Sequence, residues 1–140
     1  MITAKINKKD TLITDVVDDN GKAITICSSK VESEYLSPRQ LVQSALAGCL
    51  SMTIRRELMN QNLSYEDVVV SVESVEDQGQ TIYNYSISID SEENSDVIEK
   101  LKETAIENCY IRGLLSAGIQ MVEVEDLQGR AGVVCDCCCG

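Results

Sequence analysis

The chain has no histidine, no tryptophan and no phenylalanine among its 140 residues. Without histidine there is no Ser-His or Cys-His nucleophile pair and no imidazole metal site. Without tryptophan and phenylalanine, nucleic-acid bases lose their usual stacking platforms. Neither a GxGxxG stretch nor a P-loop is present, so nothing marks a nucleotide site. No apolar run reaches the roughly 20 residues of a membrane span, and the longest runs are broken by Gln43, Ser44 and Ser51. The chain does not open on a basic segment followed by an apolar one, so no secretory signal is expected. Basic residues are scarce as well, at 12 against 23 acidic ones, a formal net charge of −11. Binding to phosphate backbones needs cations that displace counterions. Nucleic acid and membrane are therefore not expected partners, and the acidity is read as solubility.

What remains for chemistry is sulfur. The cysteines are Cys27, Cys49, Cys109, Cys135, Cys137, Cys138 and Cys139. An odd number without a signal peptide predicts a reducing, cytoplasmic compartment rather than a disulfide framework. The length predicts one domain that buries roughly two thirds of its unfolded surface. A hydrophobic fraction of 44% is ordinary for a globular protein.

The pattern centres on residues 37–60, which read as one long helix with a cysteine in the middle. Ser37 is a fitting N-cap, Pro38 suits the first helical position, and Gln40 completes a capping box. Leu41, Val42, Ala45, Leu46, Ala47, Leu50, Met52 and Ile54 cover most of the circumference, which predicts a buried helix. Small residues gather at its centre, and Gly48 beside Cys49 suggests close approach of a backbone or a substrate. Asn60 is the expected end.

Three short strands are expected before this helix, over residues 2–8, 11–18 and 22–28. The last two join through Asp18-Asp19-Asn20-Gly21, whose Asn-Gly step signals a hairpin. Cys27 ends the third strand as a small buried hydrophobe. After the helix, Val68, Val70 and Val72 alternate with polar or exposed positions. Glu76 to Gly79 reads as a turn, and Tyr83, Tyr85, Ile87 and Ile89 alternate in their turn. The tyrosines are read as cross-strand packing. Asn94 or Ser95 caps a helix with Val97, Ile98, Leu101, Ala105 and Ile106 on one face. Residues 109–117 form a second short helix closed by Gly118, and residues 119–124 a last strand. The order βββ–α–ββ–αα–β with antiparallel hairpins predicts an α+β fold.

Two thiols stand out. With Asn108 as cap, Cys109 opens a helix, where the dipole and free N–H groups favour a thiolate. Cys49 lies mid-helix, where burial raises a thiol's pKa. Local physics thus ranks Cys109 as the more acidic thiol.

The stretch 37–54, with its pattern Ser-Pro-X-Gln-Leu…Ala-X-Ala-Gly-Cys-Leu-Ser-Met, resembles the central helix of the OsmC/Ohr family. Glu107-Asn108-Cys109, followed by Arg112 and Leu114-Leu115, is similar to the family's second signature, with Tyr110 where proline is usual. The resemblance runs over about residues 1–126, read as an OsmC-like domain. It implies an intertwined homodimer with antiparallel sheets around long central helices. It also implies reduction of organic hydroperoxides by a thiol peroxidase, at the expense of a dithiol reductant. By the same resemblance Cys49 attacks the peroxide, and Cys109 resolves the resulting sulfenic acid as a disulfide; no cofactor is required. Peroxidatic members usually carry Glu at the position of Arg39 and an Arg in the N-terminal hairpin, which here offers Asp18, Asp19 and Lys22. Arg39 is then the candidate for the positive charge, although ten residues of helix separate it from Cys49 by roughly 15 Å.

Residues 127–140 form a Cys-rich tail outside that pattern. Cys135, Cys137, Cys138 and Cys139 cannot easily wrap one tetrahedral zinc, which prefers two separated pairs. Cu(I) is a more permissive soft metal. A tail thiol could instead exchange with a Cys49–Cys109 disulfide. Two rival readings therefore stand beside the peroxidase: a soft-metal or thiol carrier using the tail, and a non-catalytic OsmC-like domain binding a small apolar ligand.

Overall fold

The computed structural model describes residues 2–6, 13–28, 34–118 and 121. In chain order these give β1 (Ile2–Ile6), β2 (Ile13–Asp18), β3 (Ala23–Cys27), α1 (Pro38–Asn60), β4 (Asp67–Asp77), β5 (Gln80–Asp90), α2 (Ser95–Glu107) and α3 (Tyr110–Ala117). β1, β2 and β3 form one antiparallel sheet in that order, and β4 and β5 form a second. The α+β expectation holds; β3 is one residue shorter at each end than expected, and residues 7–8 and 11–12 of the first two expected strands lie outside the described residues. The strand expected over residues 119–124 lies outside the described residues except for Met121, which is in no regular element.

Both ends of α1 are specified locally. Ser37 N–H donates to Gln40 Oε1 at 2.8 Å and Gln40 N–H donates to Ser37 Oγ at 3.4 Å, closing the capping box. At the other end, Leu63 N–H donates to Leu58 O and Asn62 N–H to Met59 O, with Asn62 at φ 52. This is a Schellman motif with asparagine in the left-handed position, and Leu63 packs back onto the cluster that holds Leu58.

α1 lies antiparallel along β4. Arg39 near its start bonds Glu76, Gln43 bonds Ser74, Leu46 and Leu50 pack with Val70 and Val72, and Ile54 and Leu58 pack with Val68 and Val70. From Arg39 to Leu58 the helix rises about 28 Å, and from Glu76 to Val68 the strand spans about 27 Å. Leu101 and Ala105 of α2 close the lower part of this core, and Ile111 and Leu115 of α3 pack on its upper part.

Within the single chain α1 is buried on one side only. Leu46, Leu50, Thr53, Ile54 and Leu58 are buried, while Val42, Ala45, Met52 and Met59 are exposed. One side of the helix faces the sheet, and a second apolar side faces out. A Cβ at Gly48 would meet nothing within 4 Å, so no neighbour among the described residues of the same chain requires a glycine there.

The two turns differ in kind from each other. Gln78 and Gly79 both take positive φ, 49 and 79, so β4 and β5 pair up to Asp77 and Gln80 through a two-residue turn. The turn is tighter than the four residues expected. Between β2 and β3 only Gly21 has positive φ, and Asp18 Oδ1 accepts the N–H groups of Asn20 and Lys22. The hairpin is there, but the Asn-Gly step is not a two-residue turn. No strand of the N-terminal sheet makes an extended contact with the helices or with β4 and β5 among the described residues.

Leu58 is fully buried between α1, α2 and the Schellman turn. Leu58→Ala should cost about 2–5 kcal/mol through lost burial and the cavity left behind. A urea-unfolding midpoint unchanged by this substitution would contradict the packing described.

Candidate active site

Three free thiols lie among the described residues: Cys27, Cys49 and Cys109. Cys27 ends β3, where its thiol donates to Tyr35 O at 3.1 Å. It is the small buried residue the sequence suggested. Cys49 and Cys109 come from different elements and meet. Cys49 sits at mid-length of α1, and its carbonyl accepts the Thr53 hydroxyl at 2.8 Å. Cys109 occupies the sharp corner between α2 and α3. The two thiols face each other closely enough to interact side chain to side chain. Leu46 and Leu50 flank them from α1, Ile106 from α2, Ile111 and Leu115 from α3, and Tyr83 from β5.

Helix geometry explains the meeting. On α1, Cys49 lies about 100° around from the line of Leu46, Leu50 and Ile54. It thus stands at the boundary between the side that packs on β4 and the exposed apolar side, and it is partly buried there. Cys109 is 2% exposed. α3 is short but amphipathic, and Ile111 and Leu115, four residues apart, dock it on α1 so that its first turn delivers Cys109 to Cys49.

Two expectations for Cys109 are corrected. Asn108 is the C-cap of α2, and Cys109 is itself the N-cap of α3. Nor is its thiolate favoured. Burial pushes the Cys109 thiol up, which the N–H groups of Arg112 and Ile111 offset only in part, and the neighbouring Cys49 adds to the rise. The N–H groups face the sulfur without closing a cap hydrogen bond. The apolar cluster outweighs the helix terminus because desolvation penalises the charged form.

Arg39 is placed away from the pair. Its guanidinium donates to Glu76 Oε1 at 2.9 Å, and both side chains are about half exposed, at 55% and 46%. Within one chain this geometry does not bring Arg39 to Cys49. Cys135, Cys137, Cys138 and Cys139 lie outside the described residues. Among the described residues no group of acidic or cysteine side chains could hold a metal ion, and no helix is long and apolar enough to cross a membrane.

The wall of the pair was only partly legible. Tyr83 was read as strand packing, and it packs on the thiol cluster as well. Ile111 and Leu115 carried a usable signal in their spacing, four residues apart after a cysteine.

The comparisons bear on the fold and on family membership. The family model described as OsmC-like protein matches residues 31–124, which span α1, β4, β5, α2, α3 and both thiols. The chain belongs to the OsmC-like family. An OsmC-like protein from Mycoplasma pneumoniae superposes with a TM-score of 0.72 at 17% identity, covering 84% of this chain and 86% of that one. A Legionella pneumophila protein, named an organic hydroperoxide resistance protein OsmC and predicted redox protein, gives 0.60 at 19% identity, over 81% and 85%. The organic hydroperoxide resistance protein OhrB of Bacillus subtilis gives 0.57 at 16%, over 80% and 86%. At these identities the likeness is one of fold. No curated protein matches this OsmC-like sequence.

The two thiols should differ in reactivity. Cys109 is enclosed and its thiol is held above the ordinary range. At pH 8 iodoacetamide should label Cys49 before Cys109, and Cys109 labelling should rise only as pH climbs past the usual thiol range. The same shift makes stability fall as pH rises there, because the unfolded thiol loses its proton first. Peptide mass spectrometry showing Cys109 labelled first at pH 8 would contradict the geometry.

Proposed function

We propose that this OsmC-like protein is a thiol-dependent reductase of organic hydroperoxides with Cys49 and Cys109 as its redox pair. The observation that carries this reading is that two free thiols from separate elements meet in one apolar cluster, in a chain with no histidine. Unequal exposure supports this division of roles. Cys49 is the partly exposed thiol, at the edge of the cluster, and Cys109 is the enclosed one. The Cys49 thiolate attacks the peroxide, an S–O bond forms, the O–O bond breaks, and the alcohol leaves with a proton. Cys109 then attacks the sulfenic sulfur, water leaves, and a disulfide forms. The pair has given two electrons, which a dithiol reductant returns.

The lining favours an organic substrate. Ile111 and Leu115, both partly exposed, present hydrocarbon to anything that reaches Cys49, and apolar surface there would cover an alkyl group better than water. Two structural neighbours are named for resistance to organic hydroperoxides, which agrees with that preference. Cys49→Ser should abolish consumption of cumene hydroperoxide. Cys109→Ser should consume one equivalent and stop, leaving a sulfenic acid that dimedone traps. Full steady-state turnover in Cys49→Ser would refute the mechanism.

The same reading includes a homodimer. Met52 and Met59, 68% and 62% exposed, continue the line of Val42 and Ala45 on the outer side of α1. An apolar side of this length beside a three-stranded sheet without an extended contact is what a second copy would cover. Arg39 enters the mechanism only across such a dimer, since in its own chain it is bound to Glu76. Sedimentation at micromolar concentration should give a dimer, and Met52→Asp should shift it toward monomer. A wild-type monomer under those conditions would remove this part of the reading.

A further inference from the structure

Attack of a thiolate on a peroxide drives the electron pair of the O–O bond onto the leaving oxygen, which departs as an alkoxide. A developing oxyanion is stabilised by N–H donors or a cation aimed at it. The cluster around the two thiols is apolar, and the chain has no histidine to serve there.

The cations of the described residues differ in what they can reach. Arg39 is bound to Glu76. Side chains of a helix also lean toward its N-terminus, so Arg39, which precedes Cys49, leans away from it. Lys102 of α2 is bound to Glu99 at 2.7 Å. Arg55 is set about 120° around α1 from Cys49. Arg56 differs from all three. It follows Cys49 by nearly two turns of α1, a rise of about 10 Å with a rotation of only about 20°. Its Cα–Cβ bond tilts back toward Cys49, and such a side chain covers the turn before its own Cα, here the turn of Met52 and Thr53. That surface is open. Met52 is 68% exposed, the Thr53 hydroxyl is turned inward onto Cys49 O, and Met52 and Arg56 line one surface cavity.

Glu57 holds the guanidinium from behind. Its Oε1 lies 3.8 Å from Arg56 Nε, and its side chain is 13% exposed against 49% for Arg56. Arg56 makes no other ion pair among the described residues, so the N–H groups of its terminal nitrogens remain for a ligand.

We propose that Arg56 is a catalytic residue of the Cys49 site, and that its terminal N–H groups bond the peroxide oxygen that leaves as alkoxide. This rests on the redox-pair reading above. The Cys49 thiolate attacks the terminal oxygen of the hydroperoxide, the S–O bond forms, and the O–O bond breaks with its electron pair on the second oxygen. The planar fork of Arg56 meets that charge. Arginine keeps its own protons, so the alkoxide takes one from water and departs as the alcohol. Cys49 is left as the sulfenic acid that Cys109 resolves. Seen down the axis, Arg56 falls between Met52 and Cys49, so a second copy seated on Met52 and Met59 would wall this site on its open side.

The test uses the reduced full chain. Single-turnover oxidation of Cys49 by cumene hydroperoxide is followed by rapid acid quench and peptide mass spectrometry in wild type, Arg56→Ala, Arg56→Lys and Arg55→Ala. A donor to a developing oxyanion is worth roughly 10²- to 10³-fold in a closed site. Arg56 is half exposed, so Arg56→Ala should be slower by at least about tenfold. Arg56→Lys should recover part of the rate through its charge, without the fork. Arg55→Ala removes the same charge from another side of α1 and should react like wild type. Peracetic acid expels acetate, an anion that needs little help, so with it Arg56→Ala should lose less than about twofold. Iodoacetamide expels no oxyanion and should label Cys49 in Arg56→Ala at the wild-type rate. Equal losses with cumene hydroperoxide, peracetic acid and iodoacetamide would mark a disturbed thiol or fold and overturn the proposal. An equal loss in Arg55→Ala would overturn it as well. A wild-type rate with cumene hydroperoxide in Arg56→Ala would overturn it and leave the redox pair standing. Wild-type protein whose Cys49 stays unoxidised by the peroxide would overturn both.

Discussion

The packing of α1 on β4 is the constraint on which the rest depends. A helix rises about 1.5 Å per residue and an antiparallel strand about 3.4 Å. A stripe from Arg39 to Leu58 therefore matches a strand segment from Glu76 to Val68 end to end. The chemistry of the stripe follows the strand. Polar pairs hold the top, where Arg39 meets Glu76 and Gln43 meets Ser74, and apolar pairs fill the rest. Burying each of Leu50, Ile54 and Leu58 is worth about 1.5–3 kcal/mol. An exposed pair such as Arg39–Glu76 is worth about 1 kcal/mol at most. The apolar rungs hold the helix down, and the polar ones fix which residue sits opposite which.

That register decides where the chemistry sits. Once Leu46 and Leu50 point at β4, the helical period leaves Cys49 no choice but the flank between them. α3 fills that flank because Ile111 and Leu115 need cover. Cys109 arrives with it as the first residue of the corner. The meeting of the two thiols is thus a by-product of two hydrophobic dockings. Neither thiol needs a hydrogen bond of its own to be held in place.

The sequence made α1 legible because its signals are local. The capping box and Pro38 act within a few residues and place the start of the helix where it lies, and Asn60, the expected end, is its last residue. The alternation of Val68, Val70 and Val72, and of Tyr83, Tyr85, Ile87 and Ile89, was likewise a local signal, and it gave the inner face of the second sheet except at Tyr85, which is exposed. Tertiary quantities were not legible. An apolar count around α1 cannot tell a side that meets its own sheet from one that faces outward, so Met52 and Leu50 looked alike. The pKa of Cys109 failed for the same reason. A helix terminus can be read from neighbours in sequence, but the desolvation that outweighs it comes from Leu46, Leu50 and Cys49, about sixty residues away.

The unequal burial of the two thiols has a chemical consequence of its own. A nucleophile toward peroxide must meet its substrate, and one at the edge of a cluster can do so while its neighbours exclude water. A resolving thiol has the opposite requirement: it must meet only the sulfenic sulfur and stay protected from the oxidant. Holding Cys109 in apolar surroundings keeps it protonated, and a thiol reacts with peroxide far less readily than a thiolate. In the proposed reaction, Cys109 is already in contact with Cys49 when the sulfenic acid forms and loses little entropy in closing the bond. Burial that would disable a free-standing nucleophile therefore suits a thiol whose target is delivered to it. The fold places one cysteine on the boundary of a packed stripe and the other behind it, which is the arrangement that the proposed reaction needs.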